Sequence, residues 1–129
     1  MTVVVDTNVV ISGIVNACMT GRIDLVASPD ILVEYRRVAD DLARRFSGVD
    51  VSRVLDLLTI KSLICDADPL PDQVCDDPDD DKFLACALAS GAPIIVTGDK
   101  ALLKLDGFRE LSIMKPRQFV DNNIMRCNP

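Results

Sequence analysis

The run Asp76-Asp77-Pro78-Asp79-Asp80-Asp81 sets five carboxylates in six residues and opens directly into the apolar stretch Lys82-Phe83-Leu84-Ala85-Cys86-Ala87-Leu88-Ala89. Two more acids end apolar runs: Asp6 follows Thr2-Val3-Val4-Val5, and Asp99 follows Pro93-Ile94-Ile95-Val96-Thr97-Gly98. Acids so placed have two uses. They cap helices, because a carboxylate near a helix N-terminus is stabilised by the free N–H groups and the dipole. Alternatively, several converge on a hard cation that takes oxygen ligands, magnesium or manganese. Such a site can lower the pKa of a bound water, orient it in line with a phosphodiester and stabilise charge on the leaving oxygen.

Other chemistries are excluded by composition. The chain has no histidine, so Ser-His-Asp and Cys-His nucleophiles and His-ligated zinc are ruled out within it. Its five cysteines (Cys18, Cys65, Cys75, Cys86, Cys127) show no C-x-x-C spacing and read as buried free thiols of a reducing compartment. A net charge of −6 argues at first against a polyanionic partner. Setting aside the five-acid run, Asp6, Glu34 and Asp99 leaves 12 acids against 14 bases, so the remaining surface is slightly basic. No apolar run approaches the roughly 18 residues of a membrane span, and no leader pattern opens the chain. A cytoplasmic protein without membrane association is expected.

The acids need elements to position them. Thr2–Val5 reads as a short buried strand, and Asp6-Thr7-Asn8 supplies cap types for a helix running from Val9 towards Cys18. After a turn at Gly21-Arg22, Ile23–Ala27 is a second strand. Ser28-Pro29 starts a helix to about Phe46, with Ile31, Tyr35, Val38, Leu42 and Phe46 on its apolar face and Glu34 beside them. Asp50 caps a further helix to about Leu63, making a helical hairpin. Cys65 to Pro78 is an irregular connection, with Ser62–Cys65 as a candidate extended stretch. A helix follows Pro78 and ends at Ser90-Gly91; Pro93–Thr97 is a strand, Asp99 to Leu105 a short helix, Leu111–Met114 a last strand and Pro116–Asn122 a closing helix. Alternating strands and helices predict one α/β domain over residues 1–122, with a central parallel sheet of four to five short strands in three α/β/α layers, and a tail over 123–129.

In open parallel sheets, ligands bind outside the carboxyl ends of the strands, where Asp6 and Asp99 fall. At about 100° per residue, Asp80 shares the apolar face with Phe83, Leu84 and Ala87. Asp79 and Lys82 point towards solvent, and Asp81 is borderline. Asp80 is thus the acid held inward, which is costly without a cation or strong donors. Each acid also has a plainer use: Asp6 as an N-cap, Asp99 in a Gly-Asp turn, Glu34 as an ion-pair partner of Arg37.

The ordered pieces Val3-Val4-Val5-Asp6-Thr7-Asn8-Val9-Val10-Ile11-Ser12, Ser28-Pro29-Asp30-Ile31-Leu32-Val33-Glu34, Asp77 to Ala89, Ile95 to Leu103 and Met114-Lys115-Pro116-Arg117-Gln118-Phe119 resemble the PIN-domain nucleases, specifically the VapC-like toxin components of toxin-antitoxin pairs. The likeness covers nearly the whole chain, and its specificity lies in the ordered set. It implies a magnesium- or manganese-dependent endoribonuclease, usually a homodimer, inhibited by a cognate antitoxin. It places the metal-binding, catalytic acids on Asp6, Glu34, Asp80 and Asp99, with Asn8, Thr97 and Asp81 in support. Between Gly13 and Gly21 the chain is some ten residues shorter than many such relatives, a departure that bears on substrate access and antitoxin docking. Arg36, Arg37, Arg44, Arg45, Lys100 and Lys104 are candidate phosphate contacts or ordinary solvated charges.

Two other classes compete. A receiver-like phosphoacceptor module also binds magnesium at strand ends, but its phosphorylated aspartate sits on a central strand rather than at a helix start. A non-catalytic, PIN-like binding domain is the other; retention of four mutually repulsive acids argues against it.

Overall fold

The strands form where β-branched and apolar residues run together. The computed structural model describes residues 2–7, 9, 23–46 and 52–124. Its strands are β1 (Thr2–Val5), β2 (Asp24–Ala27), β3 (Leu63–Ile64), β4 (Ile94–Val96) and β5 (Ser112–Met114). They make one sheet in the order β3-β2-β1-β4-β5, with every pairing parallel. The register sets Val4 between Val26 of β2 and Ile95 of β4. Val3, Val4 and Val5 are all fully buried although successive strand side chains point to opposite faces, so both faces of β1 are covered.

The covering helices are α1 (Pro29–Arg45), α2 (Ser52–Lys61), α3 (Asp81–Ser90), α4 (Lys100–Leu103) and α5 (Pro116–Phe119). Helix α3 lies against β1, β2 and β4; α2 packs on β2, α4 on β5, and α1 on β2, α2 and α3. The expected α/β architecture with a central parallel sheet is therefore present, with five strands. Phe83, Leu84 and Cys86 of α3 are fully buried against the sheet. Burying a side chain the size of Phe or Leu stabilises by about 1.5–3 kcal/mol, which anchors the acidic run at the head of α3.

Several boundaries differ from the sequence reading. Helix α1 begins as expected, with the Ser28 hydroxyl accepting from Ile31 N–H (3.3 Å) and Pro29 in the first turn. Its buried stripe is Ile31, Tyr35 and Ala39, while Phe46 is 56% exposed. The chain leaves helical geometry at Phe46, which is extended (φ −125°, ψ 103°), and this takes the ring off the packed face. Helix α2 stops at Lys61 because Leu63 and Ile64 pair with Val26 and Ala27 instead. A 3₁₀ turn over Pro78–Asp80 precedes α3, so the helix begins at Asp81 rather than directly after Pro78. It ends at Gly91, whose φ of 75° places it in the left-handed region that glycine adopts without steric cost. Beyond α5 the chain continues as a wider π-type turn through Ile124, past the expected end at Asn122. Thr7 and Val9 are helical. Asn8, the rest of the first helix to Cys18, the shortened segment between Gly13 and Gly21, the Asp50 cap and residues 125–129 lie outside the described residues.

Candidate metal centre

Strands β1 and β4 are neighbours, so the residues that follow them meet. The Asp6 N–H donates to the Val96 carbonyl (2.9 Å), carrying the ladder one residue past β1, and the Thr97 N–H does the same to Met114 on the far side (3.0 Å). Thr97 is fully buried and its hydroxyl donates to Asp6 Oδ2 at 2.7 Å. The Thr97 hydroxyl oxygen in turn accepts from the Asp99 N–H at 3.0 Å. One buried hydroxyl thus ties together two of the expected acids. Asp99 also caps α4 by accepting from the Ala101 N–H at 3.0 Å, so its capping use and its place beside Thr97 coexist.

Asp80 reaches the cluster from the opposite element. It occupies the N-cap position of α3 but its side chain makes no capping hydrogen bond; capping of the preceding turn falls to Asp77, which accepts from the Asp79 N–H (3.0 Å). Burial, reinforced by the charges of Asp77, Asp99 and Asp6 and by a hydrogen bond shared with the Asp99 carboxyl, pushes Asp80 up to about 7. Asp6 is 8% exposed, and its carboxyl is also raised. Burial is the main cause there; the hydrogen bonds from Thr97 and the Thr7 N–H oppose it, and the charges of Glu34 and Asp99 add to it. Among the described residues, Asp6, Asp80 and Asp99 have no cationic partner.

Glu34 stands differently. The Thr7 hydroxyl donates to its Oε2, Lys82 Nζ lies 2.6 Å from its Oε1, and an Arg37 nitrogen is 4.0 Å from the same oxygen. The side chains of Glu34 and Lys82 are only 12% and 16% exposed. The expectation that Lys82 faces solvent is corrected here. The 3₁₀ turn shifts the start of α3, and Lys82 folds back between Glu34 and Asp79 (3.2 Å). Burial alone would lower the Lys82 pKa, but its bonds to Glu34 and Asp79 outweigh this and keep the ammonium charged. Sequence offered the i,i+3 relations of Glu34 to Arg37 and of Asp79 to Lys82 as signals for this network, and nothing for the Glu34–Lys82 contact.

Asp81 is turned away from the other acids. It accepts from the Cys75 N–H (2.7 Å) and the Val74 N–H (3.1 Å), clamping the 65–77 connection onto the head of α3. Burial pushes its pKa up, but the Cys75 thiol and these two N–H groups outweigh that and hold it low. Asp79 is exposed, as expected, and so are Asp76 and Asp77. Of the candidate phosphate contacts, Arg36 pairs with Asp56, Arg45 with Asp41 (3.2 Å), and Arg44 donates to the Asp40 carbonyl (3.4 Å). Lys100 and Lys104 are exposed. A groove of about 770 Å³ runs from Glu34 and Lys82 past Val33, Arg37 and Leu70, and Asp6, Asp80 and Asp99 do not line it.

The donor set fits a hard divalent ion: it offers oxygen ligands only, and in two of its carboxylates, Asp6 and Asp80, burial first and neighbouring negative charge second disfavour the bare anion. As the side chains stand, no three acidic or cysteine groups among the described residues close around a single point.

The same fold is seen in the crystal structure of PAE2754 from Pyrobaculum aerophilum, with a TM-score of 0.68 over 97% of this chain and 90% of that one, at 15% identity. In sequence, the chain is similar to uncharacterized protein MJ1680 of Methanocaldococcus jannaschii, 34% identical over 141 aligned positions that span 92% of this chain and 89% of that protein. The PIN domain family profile matches residues 2–101, a span holding Asp6, Glu34, Asp80 and Asp99. PIN domains are generally nucleases and typically use divalent metals. On that match this chain belongs to the PIN domain family.

Proposed function

We propose that the protein is a metal-dependent endoribonuclease and the toxin of a toxin-antitoxin pair. One observation carries the metal-dependent part: Asp6 and Asp99 follow adjacent parallel strands, Asp80 meets them from the head of α3, and none of the three has a cationic partner among the described residues. Crowded carboxylates of this kind repel one another unless protonated or neutralised by a cation.

Asp6, Asp80 and Asp99 hold the ion, with Glu34 as the fourth acid at their side. A bound magnesium or manganese ion supplies positive charge at the phosphodiester oxygens and lowers the pKa of a water. Thr97 orients Asp6 and the Asp99 backbone, so that these two acids face one space. Thr7 orients Glu34 from the opposite side. Asn8 is a supporting polar residue by resemblance, and Asp81 supports the site from a distance by fixing the Cys75 loop.

RNA as substrate, a cognate antitoxin as inhibitor, a homodimeric state and a cytoplasmic location rest on the resemblance to VapC-like toxins. No described helix is long and apolar enough to cross a membrane. The reading is tested by incubating the purified protein with RNA and manganese beside an Asp6→Asn, Asp80→Asn double variant. Cleavage by the wild-type protein alone is expected; equal cleavage by the double variant would refute it.

A further inference from the structure

Among the described residues, Glu34 is the one acid of the group with a cationic partner. Lys82 Nζ lies 2.6 Å from Oε1, the Thr7 hydroxyl occupies Oε2, and Arg37 reaches to within 4.0 Å of Oε1. Both oxygens therefore have donors, and both partners of the ion pair are largely buried, with 12% and 16% of their side chains exposed. Asp79, 3.2 Å away, steadies the same ammonium from the solvent side. A divalent ion seated directly on Glu34 would share its carboxylate with the Lys82 ammonium, already 2.6 Å from Oε1. If Lys82 stayed, two cations would meet at a distance where repulsion in a partly buried setting is strong.

We propose that Lys82 is a positioning residue that keeps Glu34 as its counter-ion and out of the metal's direct coordination, so that the ion is held by Asp6, Asp80 and Asp99 alone. The ammonium acts as a tethered cation that sets metal affinity: it balances the Glu34 charge and limits how strongly the pocket attracts a divalent ion. Lys82 also lines the groove beside Glu34, where it adds positive charge without adding a competing ligand. This inference rests on the metal-site reading above and refines the part Glu34 plays in it.

Direct titration of the metal-free, full-length protein with manganese tests it by calorimetry, with no reliance on activity. The informative variant is the charge-balanced double substitution Glu34→Gln, Lys82→Met, which removes both members of the pair and leaves the net charge of the pocket unchanged. Its manganese affinity is expected to stay within about threefold of wild type, whereas Asp80→Asn loses at least about tenfold. Lys82→Met alone frees Glu34 and should tighten manganese binding by about tenfold. Should that single variant fold poorly, as a protein left with an uncompensated buried acid can, the double variant still decides the matter. A loss in the double variant as large as that of Asp80→Asn would overturn the inference and leave the metal-site reading intact. No manganese uptake by the wild-type protein would overturn both.

Discussion

The Thr97 hydroxyl donates to Asp6 Oδ2 at 2.7 Å across the ends of β1 and β4, and this buried bond joins residues 91 positions apart in the chain. Thr97 has no solvent exposure and Asp6 has 8%, so water cannot readily replace either partner. Replacing Thr97 by Val leaves a buried carboxylate short of one donor and the Asp99 N–H without its acceptor. A loss of about 1–3 kcal/mol in unfolding free energy is expected, measured by urea denaturation at neutral pH. Thr97→Ser should recover most of it. A Thr97→Val variant as stable as wild type would show that the hydroxyl orients nothing.

The raised Asp80 carboxyl makes the metal-free protein sensitive to pH. In the unfolded chain this group titrates near the ordinary value of about 3.9, and in the folded protein near about 7. The folded state therefore binds the proton more tightly between these values. Stability falls as pH rises through that window and levels off above it. Melting temperatures in chelator at pH 5 and pH 8 should differ in that direction, and Asp80→Asn should flatten the difference. An unchanged pH dependence in the variant would remove Asp80 from the cluster.

Metal should reverse that trend. A divalent ion competes with the proton for Asp80, so added manganese is expected to raise the melting temperature at pH 8 and to have little effect at pH 5. With free metal at a hundred times its dissociation constant, the gain is about 2.7 kcal/mol. Chelator should return the protein to its metal-free value. A manganese effect of equal size at both pH values would speak for a site elsewhere.

Asp80 and Asp81 are sequence neighbours with different work to do. Asp81 binds the backbone of Val74 and Cys75, so Asp81→Ala should loosen the 65–77 connection and lower stability by about 1.5–3 kcal/mol, the range for a charged hydrogen-bonded group. Its manganese affinity should move far less than that of Asp80→Asn. The opposite pattern, intact stability with lost metal binding, would place Asp81 among the ligands.

Much of this was legible from residue types. Ser28-Pro29 marks the start of α1 because a hydroxyl cap and a proline suit the first turn of any helix. Ser90-Gly91 marks the end of α3 for the same local reason. The inward phase of Asp80 also followed from local geometry, since its apolar neighbours Phe83 and Leu84 must face the sheet. The strand β3 falls within the extended stretch expected over Ser62–Cys65. Less legible were the exposed ring of Phe46 and the end of α2, because each depends on what the chain meets next rather than on its own periodicity.

The sequence by itself determined the architecture and the acids available to a site: strands alternate with helices, and Asp6, Asp80 and Asp99 fall at element ends whatever the packing. Only the tertiary structure decided how those acids are partnered. The neighbouring placement of β1 and β4 gave Asp6 its bond to Thr97, and the packing of α3 beside α1 gave Glu34 its bond to Lys82. Hydrogen bonds and ion pairs of this kind depend on distances of a few ångströms between residues far apart in the chain, and local periodicity carries no record of them. Of five carboxylates in one short run, local phase singled out Asp80; three-dimensional contact set it beside Asp6 and Asp99, tied Asp81 to the backbone, and left Asp76, Asp77 and Asp79 exposed.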